Sequence, residues 1–566
     1  MKSKKMLIGI CVFVFLLIAI IAFVCVFRFN ASNNSFDTKI SMLQKLYRTD
    51  NKSQNKDNIV IISICDMENK AIVKSKKGYS INNAYQLLKN EVSSYVKQNN
   101  YNTSWVKLDI VQNIEEISID EFNDTISDLV QEYIYRRGII LNFADTEIIL
   151  TEAELNSNMI IDYDDCKLDL NNLNAYLQSR GDLQLRNLPT KLKTFTTLGY
   201  FCDENNNTYK LYNEGANTGR RVYDNLDKSQ IDYIVQNASE YLFDMIQDDG
   251  KFIYGYNPLK DTENDNYNIL RHAGSVWSCI VSFDGSNDKK AKIDLTLEYL
   301  NNTIRKKDDN TYFISEVKDG EIKLGGNALA IIAMCEYTDK FSDSKYIDTI
   351  KKLGNGILSM GHSDGSYNHV LNENDFSLKS EYRTLYYDGE ATFALCKLYG
   401  ITKDEKYLNA AKKSMDYFIE KRYTQYADHW ISYATNEITK YVDDEKYYEL
   451  GLKNVGNNVS TILEKAYTSH IDLEMIVKCN ELYNRMIEKN INIEYTNYFS
   501  YDKLKELLNA RLHFQLNSYL YPEMAMYLKN PSKYCNTFFI RHSDFRIRID
   551  DIQHSILGYY YSKDII

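Results

Sequence analysis

The run YYDGEATFALCKLYGITKDEKYLNAAKKSMDYFIEKRYTQYADHW, from Tyr386 to Trp430, decides how this chain folds. It reads as two amphipathic helices joined by a polar turn. Asp388, Gly389 and Glu390 open the first helix, and Asp428, His429 and Trp430 follow the second, so both ends of the hairpin face one rim. Ala391, Leu395, Leu398 and Tyr399 recur at helical spacing, as do Leu408, Ala411, Met415 and Phe418. Each helix therefore carries an apolar stripe that needs a neighbour.

The chain supplies such neighbours. A shift of 61 residues lays AIIAMCEYTDKFSDSKYIDTIKK, from Ala330, over ATFALCKLYGITKDEKYLNAAKK, from Ala391, with Cys335 on Cys396 and Lys345-Tyr346 on Lys406-Tyr407. A weaker copy, DDEKYYELGLKNV, begins at Asp443. Self-similarity of this kind marks stacked supersecondary units that share a core. Helical segments are expected over 230–246, 269–283, 293–304 and 328–337, in the central hairpin, and on to Tyr561. The four prolines of the whole chain leave such helices uninterrupted. Ten to twelve helices in successive hairpins suit a toroid whose inner helices surround a cleft.

Upstream the pattern changes. Residues 59–64 and 105–111 read as strands, 80–98 as a helix capped by Ser80, and 138–150 as further strand. The expected organisation is an anchor over 1–29, a linker over 30–57 rich in Asn, Ser, Lys and Asp, an α+β domain over 58–225 and a helical domain over 226–566. All eight histidines fall between His272 and His554, which assigns proton chemistry to the helical domain.

Leu7 to Phe27 is an uncharged run of 21 residues behind Lys2, Lys4 and Lys5. At 1.5 Å per residue such a run spans the ~30 Å hydrocarbon core. A removed signal peptide is the other reading, but no small-residue cleavage pattern follows, and Cys25 stands after Phe23 and Val24 rather than after the small residues of a lipoprotein site. The lysine excess keeps the amino end cytoplasmic and places the body outside, as a single-pass protein of the cell membrane. A net charge of −11 argues against nucleic acid as a partner. Cys335 and Cys396 lie on apolar helix faces, so the ten cysteines read as buried thiols rather than a disulfide framework. No metal-ligand spacing, phosphate-cradling loop, GxSxG elbow or HExxH occurs, and neither a metal nor a cofactor is expected.

Several constellations can carry chemistry. Asp248-Asp249-Gly250-Lys251-Phe252 and Ser363-Asp364-Gly365-Ser366-Tyr367 are helix-terminating turns, or else carboxylates beside aromatic platforms of a sugar groove. In YNILRHAGSVW, from Tyr267, Arg271 and His272 stand at the start of an apolar helix, where a charge needs a partner such as Glu390 or an acidic sugar. RHSDFRIRIDDIQHSILGYY, from Arg541, projects Arg546 and Arg548 to one side and sets Asp551 and His554 one helical turn apart.

The pattern YYDGEATFALCKLYGITKDEKYLNAA, with Gly325-Gly326 before the preceding helix and the Asp-Gly-aromatic turns, resembles the hairpins of six-hairpin α/α-toroid carbohydrate enzymes. These include glycoside hydrolases, polysaccharide lyases, the N-acylglucosamine epimerase group and glucuronyl epimerases. The resemblance covers about residues 226–566 and matches no catalytic motif of one family residue by residue. It implies an enzyme of cell-surface or extracellular polysaccharide acting by hydrolysis, elimination or epimerisation. A non-catalytic glycan-binding or envelope-assembly protein would use the same rim, and a cyclase of hydrophobic substrates would need an acidic run that is absent. The expected catalytic set is Arg271, His272, Glu390, Asp428, His429, Asp551 and His554, gathered at one mouth. Asp249, Tyr267, Asp364, Tyr387, Trp430, Arg546 and Arg548 are expected to contact a poly- or oligosaccharide substrate.

Overall fold

The computed structural model describes residues 36–50, 57–129, 132, 134–143, 146–223, 225–316 and 318–566. The expected anchor over Leu7–Phe27 lies outside the described residues. Among the described residues no helix is long and apolar enough to cross a membrane. The chain divides into two compact units. The first holds residues up to 224 together with Pro258–Lys260 and Leu520–Cys535, and the second holds the remainder.

The first unit is built on an antiparallel sheet of seven strands. Its path runs β2 (Ile72–Lys77), β1 (Ile59–Cys65), β3 (Trp105–Ser118), β6 (Lys191–Cys202), β4 (Gly138–Phe143) and β5 (Thr146–Leu150), and β7 (Thr208–Lys210) also pairs with β6. One face of β1 and β3 packs under the helix Ile81–Asn99, which Ser80 caps by accepting from the Asn83 amide. Residues 36–50, expected as part of a tether, are helical. Phe36, Ile40 and Leu43 recur at helical spacing and are buried in the same core as Val60, Ile62 and Leu88. Their polar neighbours in sequence hide that stripe.

The other side of the sheet carries charge. Lys107 is buried within 3.3 Å of Asp109 and 3.5 Å of Glu152, and its ammonium lies over the ring of Tyr527. Tyr527 belongs to Leu520–Cys535, a segment from far along the chain that the Ser63–Tyr527 hydrogen bond and two backbone bonds, Ala71 N–H to Met526 O and Ser532 N–H to Met67 O, tie to this unit. Arg221 makes the strongest link. It donates to both carboxylate oxygens of Glu523 at 2.9 and 2.7 Å, adds its backbone N–H at 3.0 Å, and stacks between Tyr209 and Tyr521.

The second unit is twelve helices in two layers, apart from short turns of helix. The outer helices are α1 (Lys228–Asp244), α3 (Asn287–Asn302), α5 (Ile347–Met360), α7 (Glu405–Glu420), α9 (Glu445–Gly456) and α11 (Tyr501–Gln515). The inner helices are α2 (Ile269–Val281), α4 (Leu324–Phe341), α6 (Tyr386–Thr402), α8 (His429–Ile438), α10 (His470–Glu488) and α12 (Ile549–Ser562). Each inner helix packs on the next in the order α2, α4, α6, α8, α10, α12, and α12 packs back on α2, so the ring closes. The 61-residue repeat is one hairpin step, since it carries Cys335 of α4 onto Cys396 of α6.

The two layers differ in sequence for a physical reason. α8 is buried at every position, and α4 is buried without a break from Leu324 to Cys335, because an inner helix meets protein on every side. Outer helices bury one face and are started by Asp227, Ser286, Asp404, Asp444 and Ser500, each of which caps a first-turn amide. Where the ring closes, the approach is tight. A Cβ on Gly558 of α12 would stand 2.8 Å from the Leu473 side chain of α10, and one on Gly274 of α2 would stand 2.5 Å from Gln553 of α12. Within the described residues all eight cysteines are free thiols, and seven are buried.

The Arg221–Glu523 pair generates a stability prediction. Arg221→Met leaves the Glu523 carboxylate buried without its counter-ion, which costs about 3–5 kcal/mol. Urea unfolding followed on the full chain checks it. Arg221→Met combined with Glu523→Leu removes both charges and should recover most of that loss, whereas equal loss in the single and double variants would show that the stacking on Tyr209 and Tyr521 carries the stability instead.

Candidate active site

Inner helices start at the mouth and outer helices run back towards it, so the first turns of α2, α6, α8, α10 and α12 meet there. His429 is the first residue of α8, directly after its cap Asp428, whose Oδ1 accepts from the Trp430 amide at 3.0 Å. Its ring lies 5.1 Å, centroid to centroid, from that of His554 on α12, and the two stand nearly perpendicular. His554 Nδ1 donates to Glu474 Oε2 at 2.6 Å, and Glu474 Oε1 accepts from the Tyr433 hydroxyl at 2.7 Å. Glu474 belongs to α10, so three consecutive inner helices build one cluster.

The two imidazoles are driven in opposite directions. Burial pushes His429 down to about 3, against the pull of Glu474. Both of its ring nitrogens are buried without a hydrogen-bond partner, and Asp428 Oδ1 stands 3.5 Å from Nδ1. Burial also works against charge on His554, yet the neighbouring Glu474 carboxylate outweighs it and holds this ring above its ordinary value. Burial thus holds His429 neutral while Glu474 favours the charged form of His554, and divergence of this kind between adjacent titratable groups is what acid–base chemistry uses.

The carboxyls nearby divide into two kinds. Burial, then Asp428 and Asp388, push Glu390 well above the carboxylate range. Burial pushes Asp428 up to about 8 against its bond from the Trp430 amide. Glu390 Oε2 and Asp428 Oδ2 are buried with no hydrogen-bond partner, and Glu390 Oε2 occupies the space that a Cβ on Gly325 would need. Across the mouth, Asp551 is held by Arg546 at 3.0 and 3.3 Å and by Arg548 at 3.2 Å. Asp550 is paired with Arg548 and, at 2.9 Å, with Arg271, whose guanidinium also meets the Tyr254 hydroxyl. Three guanidiniums face two carboxylates there, and the partner of Arg271 is Asp550 rather than Glu390.

The structure brings Asp428, His429 and His554 together and sets Glu390, Tyr387, Arg271, Arg546, Arg548 and Asp551 around them. Five expected residues sit differently. His272 turns outward between the layers, donating from Nε2 to the Thr296 carbonyl at 3.0 Å and accepting at Nδ1 from the Tyr267 hydroxyl at 2.6 Å. Burial pushes it down to about 4, and both nitrogens are occupied, as is the hydroxyl of Tyr267, which also accepts from the Phe252 amide. Asp249 and Asp364 are exposed and accept from amides inside their own turns. The glycines that follow, at φ +83° and +96°, press on the backbone of outer helices at Leu295 and Lys413, so both turns are features of the repeat that dock on the outer layer. Trp430 is 2% exposed and no free stacking surface. It joins Trp277, Phe393 and Tyr433 in an aromatic plug with centroids 5.1–6.3 Å apart, one to two turns inside the mouth.

Glu474 and His470, the latter bonded to Gln515 and Ser555, went unnoticed in the sequence because HIDLEMIVKCNELYNRM reads as an ordinary amphipathic helix. His429, Glu474 and His554 are also the one group of potential metal ligands among the described residues, with ligand atoms within 4.8 Å of one another. Both Glu474 oxygens are already engaged by Tyr433 and His554, an arrangement that orients a proton carrier.

No family model matches the chain, and no curated protein does. Similar solved structures include a D-mannose isomerase, 11% identical with a TM-score of 0.46 over 60% of this chain and 98% of that one. A cellobiose 2-epimerase from Spirochaeta thermophila is 12% identical with a TM-score of 0.44 over 61% and 99%. A glycoside hydrolase family 76 mannosidase from Bacteroides thetaiotaomicron is 11% identical with a TM-score of 0.43 over 58% and 97%. The six-hairpin closure itself rests on the helix packing described above.

Proposed function

We propose that this protein is a carbohydrate-active enzyme that isomerises or epimerises a sugar by proton transfer next to its carbonyl, with His429 as base and His554 as acid. The observation that carries the reading is the pair itself: two imidazoles 5.1 Å apart, one driven towards the neutral form by burial and one drawn towards the charged form by Glu474. In the open-chain sugar, neutral His429 takes the proton from the carbon beside the carbonyl, and the C–H electron pair becomes the C=C bond of an enediol. The carbonyl π pair moves to oxygen, which takes the His554 proton. Return of the His429 proton to the former carbonyl carbon, while neutral His554 takes the proton of the neighbouring hydroxyl, gives the isomer. Return of that proton to the original carbon after the enediol has turned its other face to His429, while His554 takes back the proton it gave, gives the epimer. General acid–base catalysis of this kind supplies about 10²–10⁴-fold in rate.

Glycosidic hydrolysis ranks second. It needs one ionised and one protonated carboxyl across the bond. Here Glu390 and Asp428 are both pushed towards the neutral form, while Asp550 and Asp551 are locked to arginines. The Lys-flanked run Leu7–Phe27 supports placing the enzyme outside the cell on a membrane anchor, with polysaccharide or its fragments as substrate.

Three measurements test these statements. In deuterated water the purified chain should place deuterium on the carbon beside the carbonyl of a substrate sugar, and His429→Gln or His554→Gln should each lower that rate by about 10²–10⁴-fold. Unchanged exchange in both variants refutes the assignment. The pH profile follows from signs. Activity needs His429 neutral, so its acid limb lies near pH 3, and His554 protonated, so the alkaline limb lies above the ordinary histidine value of about 6.5. Glu474→Gln removes the charge that supports the His554 proton and leaves burial unopposed, so the alkaline limb should move down by about one unit or more. For topology, protease added to intact cells should digest the body of the chain, and full protection would overturn the extracytoplasmic placement.

A further inference from the structure

The lumen is shallow. Phe393 lies two turns inside α6, Tyr433 one turn inside α8 and Trp277 two turns inside α2, and with Trp430 they close it beneath the histidines. At 1.5 Å of rise per residue these residues sit roughly 6–12 Å from the helix starts. Among the described residues, six tyrosines of the helical unit are exposed. Two of them, Tyr233 and Tyr498, belong to α1 and the approach to α11 in the outer layer. The other four, Tyr382 (60% exposed), Tyr386 (41%), Tyr426 (52%) and Tyr467 (37%), all lie where α6, α8 and α10 begin.

These four are held rather than loose. Tyr386 is edge-on to His429 at 5.8 Å, which joins the rim directly to the reacting pair. Tyr382 rests on His369 at 4.9 Å, and His369 is itself fixed by donating to Asp388 and accepting from the Arg383 amide. Tyr426 stands against Tyr423 at 5.8 Å, and Tyr467 against His542 at 4.8 Å. Each leaves a ring surface open, and exposed aromatic faces on one sector of a mouth invite a partner with flat apolar faces and many hydroxyls.

We propose that Tyr382, Tyr386, Tyr426 and Tyr467 are stacking subsites for successive glycosyl units, so that the substrate is the end of an oligosaccharide or polysaccharide chain, with its terminal sugar at His429 and His554. The CH faces of pyranose rings cover the tyrosine rings, and the phenol hydroxyls meet sugar hydroxyls. This rests on the reading of the mouth as a sugar site, and binding tests it separately from proton transfer. The full-length chain is titrated calorimetrically with gluco- and manno-oligosaccharides of one to five units. Affinity in one of the two series should rise about fivefold or more for each added unit up to three, the change expected when some 40 Å² of apolar surface is covered per ring. Tyr382→Ala, Tyr426→Ala and Tyr467→Ala should each flatten that rise while leaving monosaccharide affinity unchanged, and the Phe variants should keep it. A flat or absent response in both series, or a rise that survives all three Ala variants, overturns the proposal. Length-dependent binding without deuterium exchange would refute the proton-transfer reading and leave the rim assignment standing.

Discussion

Inner helices that protein must enclose on every side are the constraint on which the helical unit depends. α8 is buried along its whole length and α4 over its first twelve residues, so neither has a side it can turn to water. Such helices are satisfied only inside a ring of others, and the ring must close, because an open one would leave two apolar flanks exposed. Closure falls between α10, α12 and α2, where Gly558 and Gly274 allow side chains of neighbouring helices to approach. The outer layer then has a simpler task. It covers the ring with one apolar face and starts its helices on Asp or Ser caps.

A ring of this kind leaves polar residues of inner helices few places to stand. A charge farther along an inner helix needs a partner from the ring itself, as Lys397 has in Glu336 at 3.0 Å and Lys478 in Glu481 at 2.7 Å, and an uncompensated charge there costs several kcal/mol. Ends of helices are different, because the first-turn amides carry partial positive charge and lack partners within the helix. Side-chain caps are absent from α4, α6, α10 and α12, in contrast to five of the six outer helices. The mouth is therefore where the fold can tolerate Glu390, Asp428, Glu474 and Asp551 together. Function and tolerance coincide at that end.

Much of this was legible in the sequence. The 61-residue repeat carried the hairpin step, and the helix starts at Tyr386 and His429 were marked by the change from polar turn to apolar run. What periodicity could not supply was direction. On an all-buried helix the apolar pattern is the same on the side facing the lumen and the side facing the outer layer, so His272 and His429, each at the start of an apolar segment, read alike. Only packing separates them, and it sends one to the Thr296 carbonyl and the other to His554. Glu474 was hidden for the related reason that Asp472 and Glu474 fit a polar stripe. The helix over 36–50 and the segment Leu520–Cys535 were missed because their partners lie far along the chain, and no local pattern records a strand or an arginine more than a hundred residues away.

The site itself is divided electrostatically. On the side of α12 and α2, Asp550 and Asp551 are paired with three guanidiniums. On the side of α6 and α8, Glu390 and Asp428 have no cation near enough to pair with, and burial drives them towards the neutral acid. Between the two halves stand His554, supported by Glu474, and His429, supported by nothing but apolar surroundings. In the proposed reaction, a proton moved from a sugar carbon to His429 makes a buried imidazolium, which is costly where water is excluded. Loss of the proton from His554 in the same step leaves the Glu474 charge uncompensated 2.6 Å from its partner, and that carboxylate lies within the field of the new imidazolium. The two events offset each other, because Glu474 serves whichever ring is charged. A single carboxylate shared between two imidazoles allows a proton to change hands without a net change of charge in the cluster, and a neutral pair of carboxyls beside it adds no opposing field.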